Sequence, residues 1–228
     1  MSVFFAPDFE QHLTHFQLNE DESKHCVKVL RMQVGAEIRL INGRGLEAIC
    51  QIQDAQPKRV LLAILQTIEH PKTPELHIAM APTKNMDRIE WFLEKATEIG
   101  LSKLSFLSCD HNERKHINLE RLHKIAVAAM KQSKRFYLPE ITDLKAFNLF
   151  VETNPNGYIG HCYEGPKQDM HQLQDTAVFL IGPEGDFSVA EVELAQKHGY
   201  QAVHMNDFRL RTETAALLAV AKLAQLNS

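Results

Sequence analysis

Over the first 70 positions the apolar residues come in short runs broken by turn-forming residues. The stretch VKVLRMQVGAEIRLINGRGLEAICQIQDAQPKRVLLAILQTIE divides into segments rich in Val, Ile and Leu, the signature of β-strands. Gly35, Asn42-Gly43, Gly45 and the segment from Asp54 to Pro57 supply the breaks. Asn-Gly between two apolar runs predicts a hairpin. Several short strands at such spacing predict a small barrel or sandwich, with one short helix over Glu20 to Val29. Pro71 and Pro74 then mark a break, so two domains are expected, 1–70 and 74–228.

Beyond the break the period changes. LHIAMAP (76–82) reads as a buried strand, and Met86 to Ile99 as a helix that puts Ile89, Phe92, Leu93 and Ala96 on one face and stops at Gly100. KLSFLS (103–108) is a second strand and Leu119 to Lys134 a long helix. Gly157 to Cys162, Ala177 to Ile181 and Ala202 to Met205 are further strands; Ser188 to His198 and Glu213 to Leu226 are further helices. Strands alternating with helices predict an α/β domain with a mostly parallel sheet covered on both faces.

Composition narrows this picture. With 44% hydrophobic and 24% charged residues the chain is an ordinary globular one, which excludes disorder, collagen or coiled coil as whole-chain descriptions. A net charge of −4 excludes grip on nucleic acid by bulk charge alone and leaves room for a local basic patch. Cys26, Cys50, Cys109 and Cys162 lie far apart with no CxxC pair, so reduced thiols are expected and a zinc ribbon is not. The histidines offer no second ligand pair at metal spacing, so no metal is expected. The start, MSVFFAPDFEQ, lacks a basic and then apolar leader, and no window approaches a membrane span; a cytoplasmic protein is the expectation.

Three stretches carry chemistry. In VFLIGPEGDFSVAEVELAQKHG (178–199) an apolar strand runs into Gly182-Pro183-Glu184-Gly185. Ser188 then stands at a helix N-cap with Glu191 three residues on, a capping box. Such a turn brings free backbone N–H groups to the carboxyl end of a parallel strand, where open α/β sheets bind ligands. Its spacing is neither Walker A nor GxGxxG, and a plain βα turn is the competing reading. A valine at Gly185 is expected to fill the loop and resist positive φ.

The second stretch, MNDFRLRTETAA (205–216), joins another strand end to another helix start, with Thr212 expected at the N-cap and Glu213 in the first turn. Arg209 and Arg211 make it richer in chemistry than capping requires. The third stretch is basic: between 114 and 135, seven Lys and Arg residues stand against Glu120 alone. Helical spacing sets Lys124, Lys131 and Arg135 along one face, and Phe136-Tyr137 follow. A basic face ending in aromatics suits an RNA backbone with a stacked base; a solvated helix face is the competing reading.

Together these stretches resemble one family, the bacterial 16S ribosomal RNA uridine N3-methyltransferases of the SPOUT superfamily. Gly182-Pro183-Glu184-Gly185-Asp186-Phe187-Ser188 matches its GPEGG(F)S loop and Leu210 to Ala215 its LRxETA motif. Lys84 with Lys95 to Gly100 is similar to its K…KxTELG helix, Ala129, Gln132, Ser133, Arg135 and Pro139 to its AxxQSxR…P pattern, and His25 to Gly35 to its HxxxVLRxxxG pattern. The chain departs from the family at Asp186, where a second glycine is usual, at Met205-Asn206, and at Phe208-Arg209.

The resemblance implies an N-terminal PUA-like barrel that binds RNA and a C-terminal SPOUT domain with a trefoil knot. It implies a homodimer acting on 16S rRNA, within the small ribosomal subunit, with S-adenosylmethionine as methyl donor. The cofactor would be held by Leu180, Gly182, Pro183, Glu184, Gly185, Met205, Asn206, Leu210 and Thr214, and the RNA by Arg31, Lys124, Lys131 and Arg135. Because uridine N3 must give up its proton to attack a methyl group, Arg211 is expected to stabilise the developing O2/O4 anion and Glu213 or Glu184 to take the proton. Structural roles for both glutamates remain open. Two other classes compete: an RNA-binding protein without catalysis, which would not bind the cofactor, and a nucleotide hydrolase using the glycine turn as an anion site, which would need a metal carboxylate or a P-loop lysine.

Overall fold

A computed structural model describes residues 1–72, 74–173 and 177–226. Thr73, inside the expected domain break, and residues 174–176 and 227–228 lie outside the described residues. The chain divides into two compact units, Met1–Thr73 with Met130–Leu138, and Pro74–Ala129 with Pro139–Ser228.

In the first unit β1 (Val3–Phe5), β2 (His15–Gln17), β3 (Glu37–Ile41), β4 (Leu46–Gln56) and β5 (Arg59–Glu69) form one sheet in the order β1-β3-β4-β5-β2. Among the described residues of this unit only the β1/β3 pairing is parallel. The predicted Asn42-Gly43 turn joins β3 to β4: the Asn42 side-chain oxygen accepts from Arg44 N at 2.8 Å and Leu46 N at 3.1 Å. Gly43 and Gly45 take positive φ there, which a side chain would resist. The predicted short helix is α1 (Glu20–Lys24), capped by Asn19, running on as a π-helical turn over His25–Val29. Phe4, Phe9, Leu18, Ile38, Leu40, Ile52 and Leu62 are buried in its core.

The second unit holds β6 (His77–Met80), α2 (Met86–Ile99), β7 (Lys103–Ser108), α3 (Leu119–Ser133), β8 (Glu140–Ala146), α4 (Phe147–Thr153), β9 (Gly157–Gly160), β10 (Gln168–Asp169), β11 (Phe179–Ile181), α5 (Val189–Lys197), β12 (Tyr200–His204) and α6 (Thr212–Gln225). Among the described residues its strands form one sheet in the order β10-β12-β9-β11-β6-β7-β8, every pair parallel, as the alternation predicts. The last four residues of α3 group with the first unit. β8 and α4 escape the reading from pattern: EITDLKA is half exposed throughout and α4 spans only seven residues. β6 and β11 are buried along their whole length and, His77 apart, apolar, as suits central parallel strands. The strand order reverses where β11 enters between β6 and β9, so the carboxyl ends of β9, β11 and β12 face one crevice.

Candidate active site

Two strand-to-helix junctions build that crevice. In the first, β11 ends at Ile181 and the chain turns through Gly182 to Ser188 into α5. Both halves of the capping box form: Ser188 Oγ accepts from Glu191 N at 3.2 Å and Glu191 Oε2 accepts from Ser188 N at 2.8 Å. Glu191 Oε1 also accepts from Asp110 N at 2.9 Å, and Ser188 Oγ donates to Asp110 Oδ2 at 2.6 Å. Positive φ falls on Asp186 (68°) rather than on Gly185 as expected. The carboxylate explains why an aspartate is tolerated there: it accepts from Phe187 N at 2.8 Å and from Cys162 N at 2.7 Å. Phe187 is fully buried beneath the turn, and a Cβ on Gly182 would stand 3.1 Å from both its ring and its amide nitrogen.

At the second junction β12 ends at His204 and α6 begins at Thr212. Asn206, Asp207, Phe208 and Arg209 are exposed, Phe208 by 80%. Here the expected cap is corrected: Arg211 occupies the N-cap without a side-chain capping bond, and Thr212 is the first helical residue. The Thr212 hydroxyl instead donates to the Gly182 carbonyl at 3.1 Å, tying the two junctions together.

Between the junctions lies a cavity of about 780 Å³. Of the residues expected to hold a ligand, Gly182, Pro183, Glu184, Met205, Asn206, Leu210 and Arg211 line it. Leu180, Gly185, Glu213 and Thr214 do not. Leu180 is core of the sheet, Thr214 points to solvent, and Gly185 packs against His111. Glu213 is buried 3.7 Å from Arg88 Nε, with Oε2 unpartnered, which takes it away from any proton in the cavity. Glu184 stays at the wall, exposed, accepting from Lys84 N at 3.1 Å.

Among the lining residues not expected from the sequence, one stands out. His161, one position past β9, has both ring nitrogens buried and unpartnered. Burial, then the nearby Lys167 charge, holds its imidazole below the ordinary histidine range, against an opposing pull from Asp186. The only sequence signal was its place at a strand's carboxyl end.

The residues expected at RNA fare differently. Arg31 is exposed, at φ 52° on the loop after the π-helical turn. Lys124 pairs with Glu120 on the surface at 2.6 Å. Lys131 is corrected: it binds Glu22 at 2.7 Å and lies over the Phe4 ring, so its charge is neutralised within the first unit. Arg135 is half buried, and burial lowers its affinity for its proton. Among the described residues no cluster could hold a metal ion, and no helix is long and apolar enough to cross a membrane.

Comparison with known proteins agrees with this geometry. Residues 70–224 match the RNA methyltransferase domain family, and residues 18–65 match the RNA methyltransferase PUA domain. Ribosomal RNA small subunit methyltransferase E of Rickettsia conorii is 29% identical over 222 residues, covering 93% of this chain and 90% of that protein. The Bacillus subtilis protein of the same name is 27% identical over 92% of this chain and 89% of its own. Among solved structures, a probable rRNA-methyltransferase from Porphyromonas gingivalis superposes with TM-score 0.91 at 35% identity, covering 100% of this chain and 98% of that one. A putative methyltransferase from Legionella pneumophila, solved with the bound cofactor SAM, gives TM-score 0.83 at 26% identity over 98% and 96%.

Proposed function

Because the chain belongs to the RNA methyltransferase family, we propose that it methylates N3 of a specific uridine in 16S rRNA of the small ribosomal subunit, using S-adenosylmethionine, in the cytoplasm. The observation that carries this reading is the cavity at the strand ends, walled by both family motifs. The residues present fit the methyl donor. Four carboxylates of the walls, Glu164, Glu184, Asp186 and Asp207, stand against the three cations Lys167, Arg209 and Arg211, which suits a cationic sulfonium. The bare Gly160 and Gly182 leave room that a Cβ would fill against Met205 Sδ and Phe187. When bound, the donor supplies a methyl group activated by positive sulfur.

Gly182, Pro183, Glu184, Met205, Asn206 and Leu210 hold it, largely through backbone groups. Arg211, at the positive start of α6, donates to the O2/O4 anion that develops as N3 loses its proton. Holding nucleophile and methyl in line is the remaining task, and it is one of position. Arg31, Lys124 and Arg135 meet RNA phosphates, and exposed Phe208 at the cavity rim stacks on a base.

The proposed architecture has the first unit as a PUA-like RNA-binding barrel, 1–70, and 74–228 as a SPOUT domain with a trefoil knot. The late entry of β11 between β6 and β9 supports the knot. The slim face of α6, with Ala216 and Ala219 buried and Leu218 exposed, supports a homodimer, for which light scattering at low micromolar concentration should give twice the chain mass.

The test is digestion and mass spectrometry of 16S rRNA, free or in small subunits, after incubation with protein and S-adenosylmethionine. N3-methyluridine is the expected product. A thermal shift with S-adenosylhomocysteine but not ATP or GTP separates this reading from a nucleotide hydrolase. RNA binding without either cofactor binding or product would leave a non-catalytic RNA-binding protein.

A further inference from the structure

Uridine N3 holds its proton at neutral pH, so a methyltransferase acting there needs a group that takes it. Glu213 lies off the cavity, and Glu184 is exposed and engaged with Lys84 N. His161 is different. It lines the same cavity, one residue beyond the carboxyl end of β9, and neither ring nitrogen meets a protein partner or water-accessible surface. Polar atoms buried in this way are rare, and a functional site is one of the few places where they persist. A ligand in the cavity would complete them.

We propose that His161 is the catalytic proton acceptor, resting on the methyltransferase reading of this site. In the step, the N3–H proton moves to a free ring nitrogen of neutral His161 and its electron pair stays on N3. N3 bonds to the methyl carbon as the carbon–sulfur pair returns to sulfur, leaving a neutral thioether, a methylated uridine and an imidazolium. The reacting groups carry one positive charge before and after the step: first on sulfur, then on the ring.

The surroundings keep the ring neutral beforehand. Burial and Lys167 disfavour its protonation, Asp186 opposes them, and Tyr163 offers only a ring contact at 5.9 Å. The other cavity walls carry Glu164, Glu184, His204, Asp207, Arg209 and Arg211. A bound sulfonium adds a further cation and holds the ring neutral still more firmly. After transfer that cation is gone, so the new imidazolium is tolerated until it loses its proton to solvent.

The experiment compares wild-type protein with His161→Asn and His161→Gln. Single-turnover methylation of 16S rRNA is followed across pH at saturating donor, with S-adenosylhomocysteine affinity from calorimetry and folding from thermal melts. Expected are at least ~100-fold slower methylation at neutral pH in both variants and S-adenosylhomocysteine affinity within about threefold of wild type. Profile shape decides the role. Wild type should hold its rate down through neutral pH and lose it only below the ordinary histidine value of 6.5, as the ring protonates. The variants should climb steadily with pH, following the ionised fraction of uridine itself. A residue that merely shaped the pocket would scale the rate and leave the profile unchanged.

A second readout does not depend on activity or on the variants folding. In wild-type protein with carbon-13-labelled histidine, the His161 resonance should titrate below the ordinary histidine range and move when S-adenosylhomocysteine and a uridine-containing RNA are added together. Wild-type rate and profile in either variant, or a resonance indifferent to the ternary complex, overturns the proposal. So does a loss of S-adenosylhomocysteine affinity that matches the loss of rate, which would make His161 a cofactor contact. Wild-type protein that neither binds S-adenosylhomocysteine nor methylates RNA overturns the methyltransferase reading, and this inference with it.

Discussion

The two junctions that wall the cavity are built in opposite ways. From Gly182 to Ser188 the side chains are braced from inside the protein: the capping box, the Asp186 carboxylate on two backbone amides, His111 on the Asp186 carbonyl, and Tyr163 on the Phe187 carbonyl. From Asn206 to Arg211 the side chains stand mostly in solvent, α6 begins without a side-chain cap, and an aromatic ring lies 80% exposed. Satisfied groups make a rigid floor with one geometry. Solvent-exposed ones at a cavity mouth are available to a second molecule. Under the proposed function the first junction is the rigid part of the donor site, Met205, Asn206 and Leu210 of the second complete it, and the exposed Phe208 and Arg211 are left to meet the nucleic acid.

Removing the Arg211 guanidinium should break this assignment most visibly. Arg211→Ala is expected to slow single-turnover methylation at least ~100-fold, the scale of losing one anion-stabilising donor, while RNA affinity stays near wild type. An equal loss in RNA affinity would make Arg211 a grip on RNA rather than on the reacting base. Gly182→Val strikes the other junction. The new side chain meets Phe187, whose ring is fully buried and whose amide is held by Asp186, so neither can yield cheaply. Overpacking of this kind costs about 1–3 kcal/mol of folding stability, to be read in denaturant unfolding, and by displacing the turn it should also weaken S-adenosylhomocysteine binding in calorimetry. Affinity unchanged in a folded Gly182→Val protein would remove the glycine turn from the donor site.

Phe208→Ala should separate the junctions cleanly. Stacking of a base on an aromatic ring is worth about 1–3 kcal/mol, so RNA affinity measured by filter binding should fall at least about fivefold, with S-adenosylhomocysteine affinity unmoved. If the cofactor affinity falls instead, Phe208 belongs to the donor site beside Met205, Asn206 and Leu210, and its place at the nucleic acid fails.

Legibility in the sequence followed the range of the interactions. The Ser188/Glu191 capping box and the helix at Met86–Ile99 rest on residues three or four apart, and both could be read directly. The family motifs were legible as strings, and the cavity they wall followed once their strand ends were set side by side. What stayed hidden depended on distant partners. Lys131 reads as a free cation on a basic face, yet Glu22, 109 positions away, neutralises it. The burial of the His161 nitrogens belongs to the folded chain, and no local pattern marks it. Strand β8 was missed because an edge position leaves it half exposed, erasing the apolar run that marks the central strands.

Thr212 shows the same limit and supplies the smallest and sharpest test of the contrast. Its sequence position favours a cap, but its hydroxyl is used by Gly182, 30 residues earlier, in a buried bond that links floor to mouth. Thr212→Val keeps the shape and removes the donor, leaving the Gly182 carbonyl without that partner. A buried group so deprived costs about 1–3 kcal/mol, so denaturant unfolding should report a loss at the lower end of that range. Thr212→Ser keeps the donor and should lose less. The more telling measurement is binding. If the floor is rigid by its own bonds, S-adenosylhomocysteine affinity in Thr212→Val should change less than threefold, because Asp186 and the capping box still hold the turn. If affinity instead collapses as far as in Gly182→Val, the first junction is not self-sufficient. The two junctions would then be one unit held together by a single hydroxyl, and the donor and RNA sites should prove thermodynamically coupled when each is titrated in the presence of the other.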